Sequence, residues 1–138
     1  MSLDKTQKRT KAVLAAKILV VDDVPLMRDL IGLTLTQAGF QNISYAEDGE
    51  AALEAIAESQ PDILLLDIKM PKMDGYEVTR ALRRNQKTKH LPILVQSASE
   101  TPEERTEVFK AGATDFVSKP INKPELLARV TMHLEKEF

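Results

Sequence analysis

The chain has 138 residues, no cysteine and no tryptophan. Without cysteine it can form no disulfide, no thiolate metal site and no cysteine nucleophile. It also has no apolar run near the ~20 residues that span a bilayer, and its first residues lack the apolar core of a secretory signal. Because 19 basic and 21 acidic side chains nearly cancel, no overall charge attracts nucleic acid or anionic membranes. These absences favour a cytoplasmic protein that recognises its partners through local surfaces.

The length and the hydrophobic content of 43% suit one compact domain with one substantial core. The first residues are polar and mostly basic, so we expect residues 1–14 to form a disordered basic leader. Residues 15–138 are then expected to form the domain.

Short apolar runs alternate with longer stretches of helical spacing, which predicts repeated βα units around a parallel sheet. The predicted strands are Lys17–Val21, Ile43–Ala46, Ile63–Leu66, Ile93–Gln96 and Asp115–Val117. Most are apolar on both faces, as buried parallel strands are.

The helices between these strands have recognisable first residues. Pro25 opens the first, and its buried face is expected to include Leu26, Leu30, Ile31 and Leu33. The four later helices each follow a residue that can cap them: Asp48, Asp74, Thr101 and Asn122.

Polar residues lie at the ends of four of the strands, namely Asp22 with Asp23, Asp67, Ser97 and Lys119. An open parallel sheet binds ligands beyond the carboxyl ends of its strands. Taken singly, each residue has an ordinary explanation as a helix cap, a turn residue or a surface lysine. Their shared position at one edge of the sheet favours a single cleft.

Three neighbouring carboxylates repel one another and call for a cation, for which Mg²⁺ with oxygen ligands is suited. With the ion bound, one aspartate becomes a plausible nucleophile toward phosphorus. Lys119 would place a positive charge on a phosphoryl oxygen, and the Ser97 hydroxyl could donate a hydrogen bond to another. This set of groups is sufficient to form an acyl phosphate.

Four motifs resemble the receiver domain of two-component response regulators, over Lys17 to Lys136. They are ILVVDD (Ile18–Asp23), LLLDIKMPKMDG (Leu64–Gly75), SA (Ser97, Ala98) and AGATDFVSKP (Ala111–Pro120). The resemblance implies an α/β, doubly wound, five-stranded parallel sheet of the flavodoxin-like (βα)5 type, with strand order 2-1-3-4-5.

The resemblance also assigns roles to the site residues. It implies that Asp67 is the phosphoacceptor, with Lys119 and Ser97 as its catalytic neighbours and Ser97 and Phe116 as switch residues. The ligands of Mg²⁺, for which Mn²⁺ can substitute, would be Asp22, Asp23, Asp67 and the backbone carbonyl of Lys69. The Lys119–Pro120 bond is expected to be cis.

By the same resemblance, the donor is a phosphohistidine on a histidine kinase or a histidine phosphotransfer protein. The domain is then a signalling phosphoacceptor that catalyses its own phosphorylation and slow autodephosphorylation. Phosphorylation would reshape the surface of the fourth predicted helix, fifth strand and fifth predicted helix, through which a homodimer can also form. The output domain or target is not identified, and we expect no direct contact with nucleic acid or membrane.

Two positions modify this expectation. Phe116 lacks the hydroxyl of the tyrosine often found there, so a switch must depend on burial of its ring. Lys69 places a cationic side chain beside Asp67, where it is either a modulator of phosphoryl lifetime or a solvated residue.

Three alternative functions are compatible with a parallel α/β sheet. An aspartate-dependent phosphatase has its nucleophile after the first strand and a second Asp two residues later, a spacing that Asp22-Asp23-Val24 does not supply. A flavin-binding domain of this fold needs a phosphate loop after the first strand, and the chain has none. A degenerate receiver that serves only as a scaffold would lack some of the site residues, whereas this chain has the complete set.

Overall fold

The computed structural model describes residues 2–98 and 101–138, so the first residue of the predicted leader lies outside the described part. The described residues form these helices and strands: α1 (Lys5–Leu14), β1 (Lys17–Val21), α2 (Pro25–Gln37), β2 (Asn42–Ala46), α3 (Gly49–Glu58), β3 (Ile63–Asp67), α4 (Gly75–Arg84), β4 (Ile93–Ser97), α5 (Pro102–Ala111), β5 (Asp115–Ser118) and α6 (Lys123–Glu135). Each predicted strand is present, and four of the five are one residue longer than predicted. None of the described helices is long and apolar enough to cross a membrane.

The five strands form one parallel sheet in the order β2-β1-β3-β4-β5, which confirms the predicted doubly wound fold. Strand β1 lies between β2 and β3 in the sheet and pairs with both. Since all strands run in the same direction, their carboxyl ends lie at one edge of the sheet. The loops at that edge are therefore brought together.

The central strands of the sheet are buried on both faces, whereas the edge strand β2 is largely exposed. Every residue of β3 and of β4 is buried, in agreement with their continuous apolar sequence. Residues from α3, α4 and α5 pack on one face, and residues from α1, α2 and α6 pack on the other. The strands therefore lie between two layers of helices.

The N-terminal segment is not a disordered leader in the structure, because residues 5–14 form helix α1. The Asp4 carboxylate accepts a hydrogen bond from the Gln7 amide, and the Gln7 side chain accepts one from the Asp4 amide, which makes a capping box. At the other end, Val13 is 4% exposed and packs into the core that α6 also covers. The polar residues that led to the prediction of disorder lie on exposed turns of α1, whose last turn packs against the core.

The buried face of α2 also differs from the prediction. Leu26 is 75% exposed and Leu33 is 53% exposed, whereas Leu35 is fully buried. The buried stripe of this helix contains Ile31, Gly32, Thr34 and Leu35. The stripe is therefore rotated by about one residue, and a polar threonine takes the place of a leucine in it. Its hydroxyl bonds to the Leu30 carbonyl within the helix, which makes that burial tolerable.

One arginine near the end of α4 has a structural role. Arg83 is partly buried, and its guanidinium donates hydrogen bonds to the carbonyls of Gly112 (2.7 Å) and Thr88 (3.1 Å). Burial lowers the pKa of this guanidinium from its ordinary value. Gly112 ends α5 in a left-handed conformation with φ of 110°, which a glycine adopts without strain. Arg83 therefore ties the end of α4 to the end of α5.

Candidate functional site

The polar residues predicted from the strand ends meet in one cleft at the carboxyl edge of the sheet. Asp22 follows β1, Asp67 is the last residue of β3, and Lys119 follows β5. The Lys119 ammonium lies 2.8 Å from Asp67 Oδ1 and 3.4 Å from Asp22 Oδ2. These three residues are separated by as many as 97 positions in the sequence, so only the parallel sheet brings them together.

Asp22, Asp23 and Asp67 form an acidic cluster in that cleft. Each has a carboxylate oxygen within 4.8 Å of the others. Asp22 and Asp67 are buried, while Asp23 is more exposed. The N-cap of α2 is Val24, without a side-chain cap. The aspartates after β1 are therefore not explained as helix caps, although Asp22 Oδ1 accepts a hydrogen bond from the Val24 amide at 2.9 Å.

The electrostatics of the cleft follow from its excess of negative charge. Burial raises the pKa of Asp67 above its ordinary value of 3.8, and the charges of Asp22 and Asp23 raise it further, against the opposing effect of Lys119. Burial opposes the charge on Lys119, but its interactions with Asp67 and Asp22 outweigh burial and raise its pKa. The Lys119 ammonium contacts two of the three clustered carboxylates, so negative charge exceeds positive charge within this group of residues.

The donor set fits a hard divalent cation. Its members are carboxylate oxygens, the ligand type that Mg²⁺ prefers. A second positive charge would also relieve the repulsion by Asp22 and Asp23, which adds to the effect of burial on the pKa of Asp67. The Lys119–Pro120 peptide bond beside the cluster is cis.

The loop after β3 is closed tightly against the cluster. The Gly75 amide donates a hydrogen bond to the Ile68 carbonyl at 2.8 Å. A Cβ atom at Gly75 would lie 2.5 Å from the Asp67 carbonyl oxygen, so only glycine allows α4 to start so close to this aspartate. Asp74 caps α4 by accepting a hydrogen bond from the Glu77 amide at 2.9 Å, which makes it a structural residue.

Two further predicted residues flank the acidic cluster. Lys69 is exposed and lines a shallow hollow together with Asp23, Asp74 and Tyr76. Ser97 is buried at the end of β4, and its hydroxyl donates a hydrogen bond to the Glu104 carboxylate. Glu104 also lines the hollow, although sequence reasoning did not place it in the site. Its position in the first turn of α5 indicates only a helix start, so the sequence carries no signal for its contact with Ser97.

Phe116 packs among side chains of α5 and α6. The Arg105 guanidinium is 4.7 Å from the centre of its ring, and that of Arg129 is 5.9 Å away. The Phe109 ring stands at 84° to it, with 6.3 Å between ring centres. The partly buried ring of Phe116 is therefore held by two cations and one aromatic edge.

The chain matches the response regulator receiver domain family over residues 18–131. It is 35% identical to the DNA-binding dual master transcriptional regulator RpaA of Synechocystis sp., over 87% of this chain and 49% of RpaA. The chemotaxis protein CheY4 of Vibrio cholerae has a similar solved structure, with a TM-score of 0.80 and 34% identity over 86% of this chain and 98% of CheY4.

A second similar structure is the receiver domain of the sensor histidine kinase PA1611 from Pseudomonas aeruginosa PAO1, which has a magnesium ion coordinated in its active site cleft. Its TM-score is 0.79 with 27% identity, over 87% of this chain and 98% of that one. The chain spans about half of RpaA and about a quarter of another curated relative, the response regulator PleD of Caulobacter vibrioides. The family match, the sheet order and the similar solved structures show that the chain belongs to the response regulator receiver domain family.

Proposed function

We propose that this domain accepts a phosphoryl group on Asp67 from a phosphohistidine of a histidine kinase or a histidine phosphotransfer protein. The observation that carries the proposal is the 2.8 Å contact between Lys119 Nζ and Asp67 Oδ1 within a cleft that Asp22 and Asp23 also line. The contact places a positive charge beside the carboxylate that would bear the phosphoryl group. Residues 15–138 form the receiver domain in this proposal.

The transfer is balanced without other reactants. A carboxylate oxygen of Asp67 forms a bond to phosphorus while the bond between phosphorus and the donor imidazole nitrogen breaks. The electron pair of that bond remains on the imidazole. Lys119 offsets the charge on the phosphoryl oxygens, and positioning and charge stabilisation of this kind are the main requirements of phosphoryl transfer.

Mg²⁺ would be held by the side chains of Asp22, Asp23 and Asp67 and by the backbone carbonyl of Lys69. When bound, the ion supplies positive charge to the carboxylate and to the incoming phosphoryl group. With these groups the domain catalyses its own phosphorylation and its slow autodephosphorylation. The exposed Lys69 side chain modulates the second rate in this proposal, so Lys69→Ala should change it.

The switch in this proposal connects Ser97 to Phe116. A phosphoryl group adds about 1.5 to 2 negative charges at pH 7, and the Ser97 hydroxyl moves to donate a hydrogen bond to it. The movement vacates space into which the Phe116 ring turns. Phe116 contacts α5 through Arg105 and α6 through Arg129, so rotation of its ring would change the α5-β5-α6 surface. Helices α5 and α6 are the fourth and fifth helices predicted from the sequence, because α1 was not predicted.

That surface is the proposed route to the output. It is the surface through which a homodimer or a downstream target would read the phosphorylation state. The output domain is not specified by these residues, and the protein is proposed to act in the cytoplasm without direct nucleic-acid binding by this domain.

The test is labelling by acetyl phosphate, a small phosphodonor, followed by mass spectrometry. We expect one added phosphoryl group that requires Mg²⁺, with Mn²⁺ as a substitute, and that is lost in Asp67→Asn. The control variant is Asp29→Asn, which removes an exposed carboxylate on α2. Labelling that persists in Asp67→Asn would contradict the assignment of the phosphoacceptor.

A further inference from the structure

The contact between Ser97 and Glu104 joins the end of β4 to the first turn of α5. Ser97 is 4% exposed, and Glu104 is partly buried. The Ser97 hydroxyl donates a hydrogen bond to Glu104 Oε1. A hydrogen bond to an ionised carboxylate is roughly twice as strong as one between neutral groups. The hydroxyl proposed to bind the phosphoryl group is therefore engaged by an anion in the unphosphorylated protein.

Glu104 also lies at the mouth of the acidic cleft. It lines the shallow hollow shared by Asp23, Lys69 and Tyr76. Burial raises the pKa of the Tyr76 hydroxyl, and the neighbouring Glu104 carboxylate raises it further. Glu104 thus faces the site from α5, while the acidic cluster belongs to the ends of β1 and β3.

A serine hydroxyl has one proton, so it donates to one acceptor at a time. When that proton is donated to Glu104, it is not available to a phosphoryl oxygen on Asp67. The two acceptors are both anionic, and they lie on different elements, α5 and β3. Glu104 and the phosphoryl group therefore compete for the same proton.

We propose that Glu104 is a positioning residue that holds the Ser97 hydroxyl toward α5 and so opposes the phosphorylated arrangement. This inference rests on the proposed function, since it assumes that Ser97 moves to a phosphoryl group on Asp67. Glu104 sets the position of the equilibrium between the two arrangements, because differential contacts alone shift such an equilibrium. The energy of the Ser97–Glu104 hydrogen bond is lost each time the switch operates.

The experiment compares Glu104→Ala and Glu104→Gln with Glu103→Ala. Glu103 is also in the first turn of α5 and is exposed, so its removal takes one negative charge from the same helix end. The readout is the affinity for beryllofluoride, a mimic of a carboxyl-bound phosphoryl group, measured by calorimetry with Mg²⁺.

We expect Glu104→Ala to tighten beryllofluoride binding about tenfold, the factor that corresponds to about 1.4 kcal/mol for a charged hydrogen bond that no longer has to break. Glu104→Gln should give a smaller increase, because its amide oxygen still accepts a neutral hydrogen bond. Glu103→Ala should bind as the unchanged protein does. If Glu104→Ala folds poorly in thermal unfolding, the isosteric Glu104→Gln decides the question. Equal affinities for the Glu104 and Glu103 variants would overturn the proposal.

A double-mutant cycle separates the hydrogen bond from simple charge repulsion. In a Ser97→Ala background, Glu104→Ala should no longer change the affinity for beryllofluoride, since Glu104 acts through the hydroxyl. An effect that persists in that background would show repulsion alone and would refute the positioning role. Failure of the proposed function has a different signature, because the unchanged protein would then neither accept a phosphoryl group nor bind beryllofluoride, and both proposals would fall.

Discussion

Gln96 in β4 provides a sharp test of how the core is built. Its side chain is 1% exposed, and neither its amide nitrogen nor its amide oxygen has a hydrogen-bond partner within residues 2–98 and 101–138. In the sheet it lies in register with Asp67 of β3 and Val117 of β5. A buried amide without partners destabilises a folded protein, because unfolding returns it to water.

We expect Gln96→Met to raise the free energy of unfolding by about 1–2 kcal/mol. Unpaired burial of a polar group costs about 1–3 kcal/mol in protein mutational data, and the flexible methionine has similar length and fills irregular space. Some of the gain is lost to imperfect packing of the new side chain. For a domain of this size, the melting temperature should rise by roughly 3–7 °C.

The assay is urea unfolding followed by far-ultraviolet circular dichroism, since the chain has no tryptophan. The control is Leu94→Met, a buried position two residues earlier on the same strand. It replaces one apolar group by another and should be neutral or slightly destabilising. A lower urea midpoint for Gln96→Met than for the unchanged protein would refute the reasoning, because it would mean that the amide makes hydrogen bonds that stabilise the fold.

Three further outcomes are expected. Asp67→Asn should raise the free energy of unfolding at pH 7 without divalent ions. The pKa of Asp67 is raised in the folded protein, so its ionised carboxylate destabilises the native state at pH values above the unfolded pKa of 3.8. Thermal unfolding at several pH values measures this gain in stability, which should shrink below about pH 4. Burial opposes the charge on Asp115, but hydrogen bonds with His133, the Phe116 amide and Arg129 outweigh burial and lower its pKa. The ionised Asp115 therefore stabilises the folded protein above pH 3.8, and this stabilisation is lost as the pH falls through the folded pKa. Urea unfolding at several pH values should show that Asp115→Asn destabilises the protein at pH 7 and progressively less in acid. Val13→Ser should detach α1 from the core. Hydrogen exchange should then be faster for the amides of residues 5–14, while the rest of the domain stays protected from exchange.

The cleft could be predicted because its chemistry depends on strand ends. Asp22 and Asp67 each end an apolar run that is long and continuous enough to indicate a buried strand, and Lys119 follows the shorter strand β5. A parallel sheet then requires their ends to meet, whatever the details of the helices. The receiver motifs in the sequence pointed to the same residues.

The contacts of helices and side chains could not be predicted in the same way. The leucines of α2 suggested one buried face, but the sheet covers a stripe rotated by about one residue, because docking decides which side of a helix is buried. The polar segment before β1 gave no sign of helix α1, whose burial depends on a groove formed by distant parts of the chain.

The sequence by itself determined the βα alternation, the parallel sheet and the set of residues at its carboxyl edge, because these follow from local apolar patterns and from the geometry of parallel strands. Only the tertiary structure decided that Lys119 contacts both Asp67 and Asp22 and that Phe116 lies between two arginines. It also decided that the Ser97 hydroxyl donates a hydrogen bond to Glu104. Those contacts join side chains from different elements, and their distances depend on how the helices pack against the sheet.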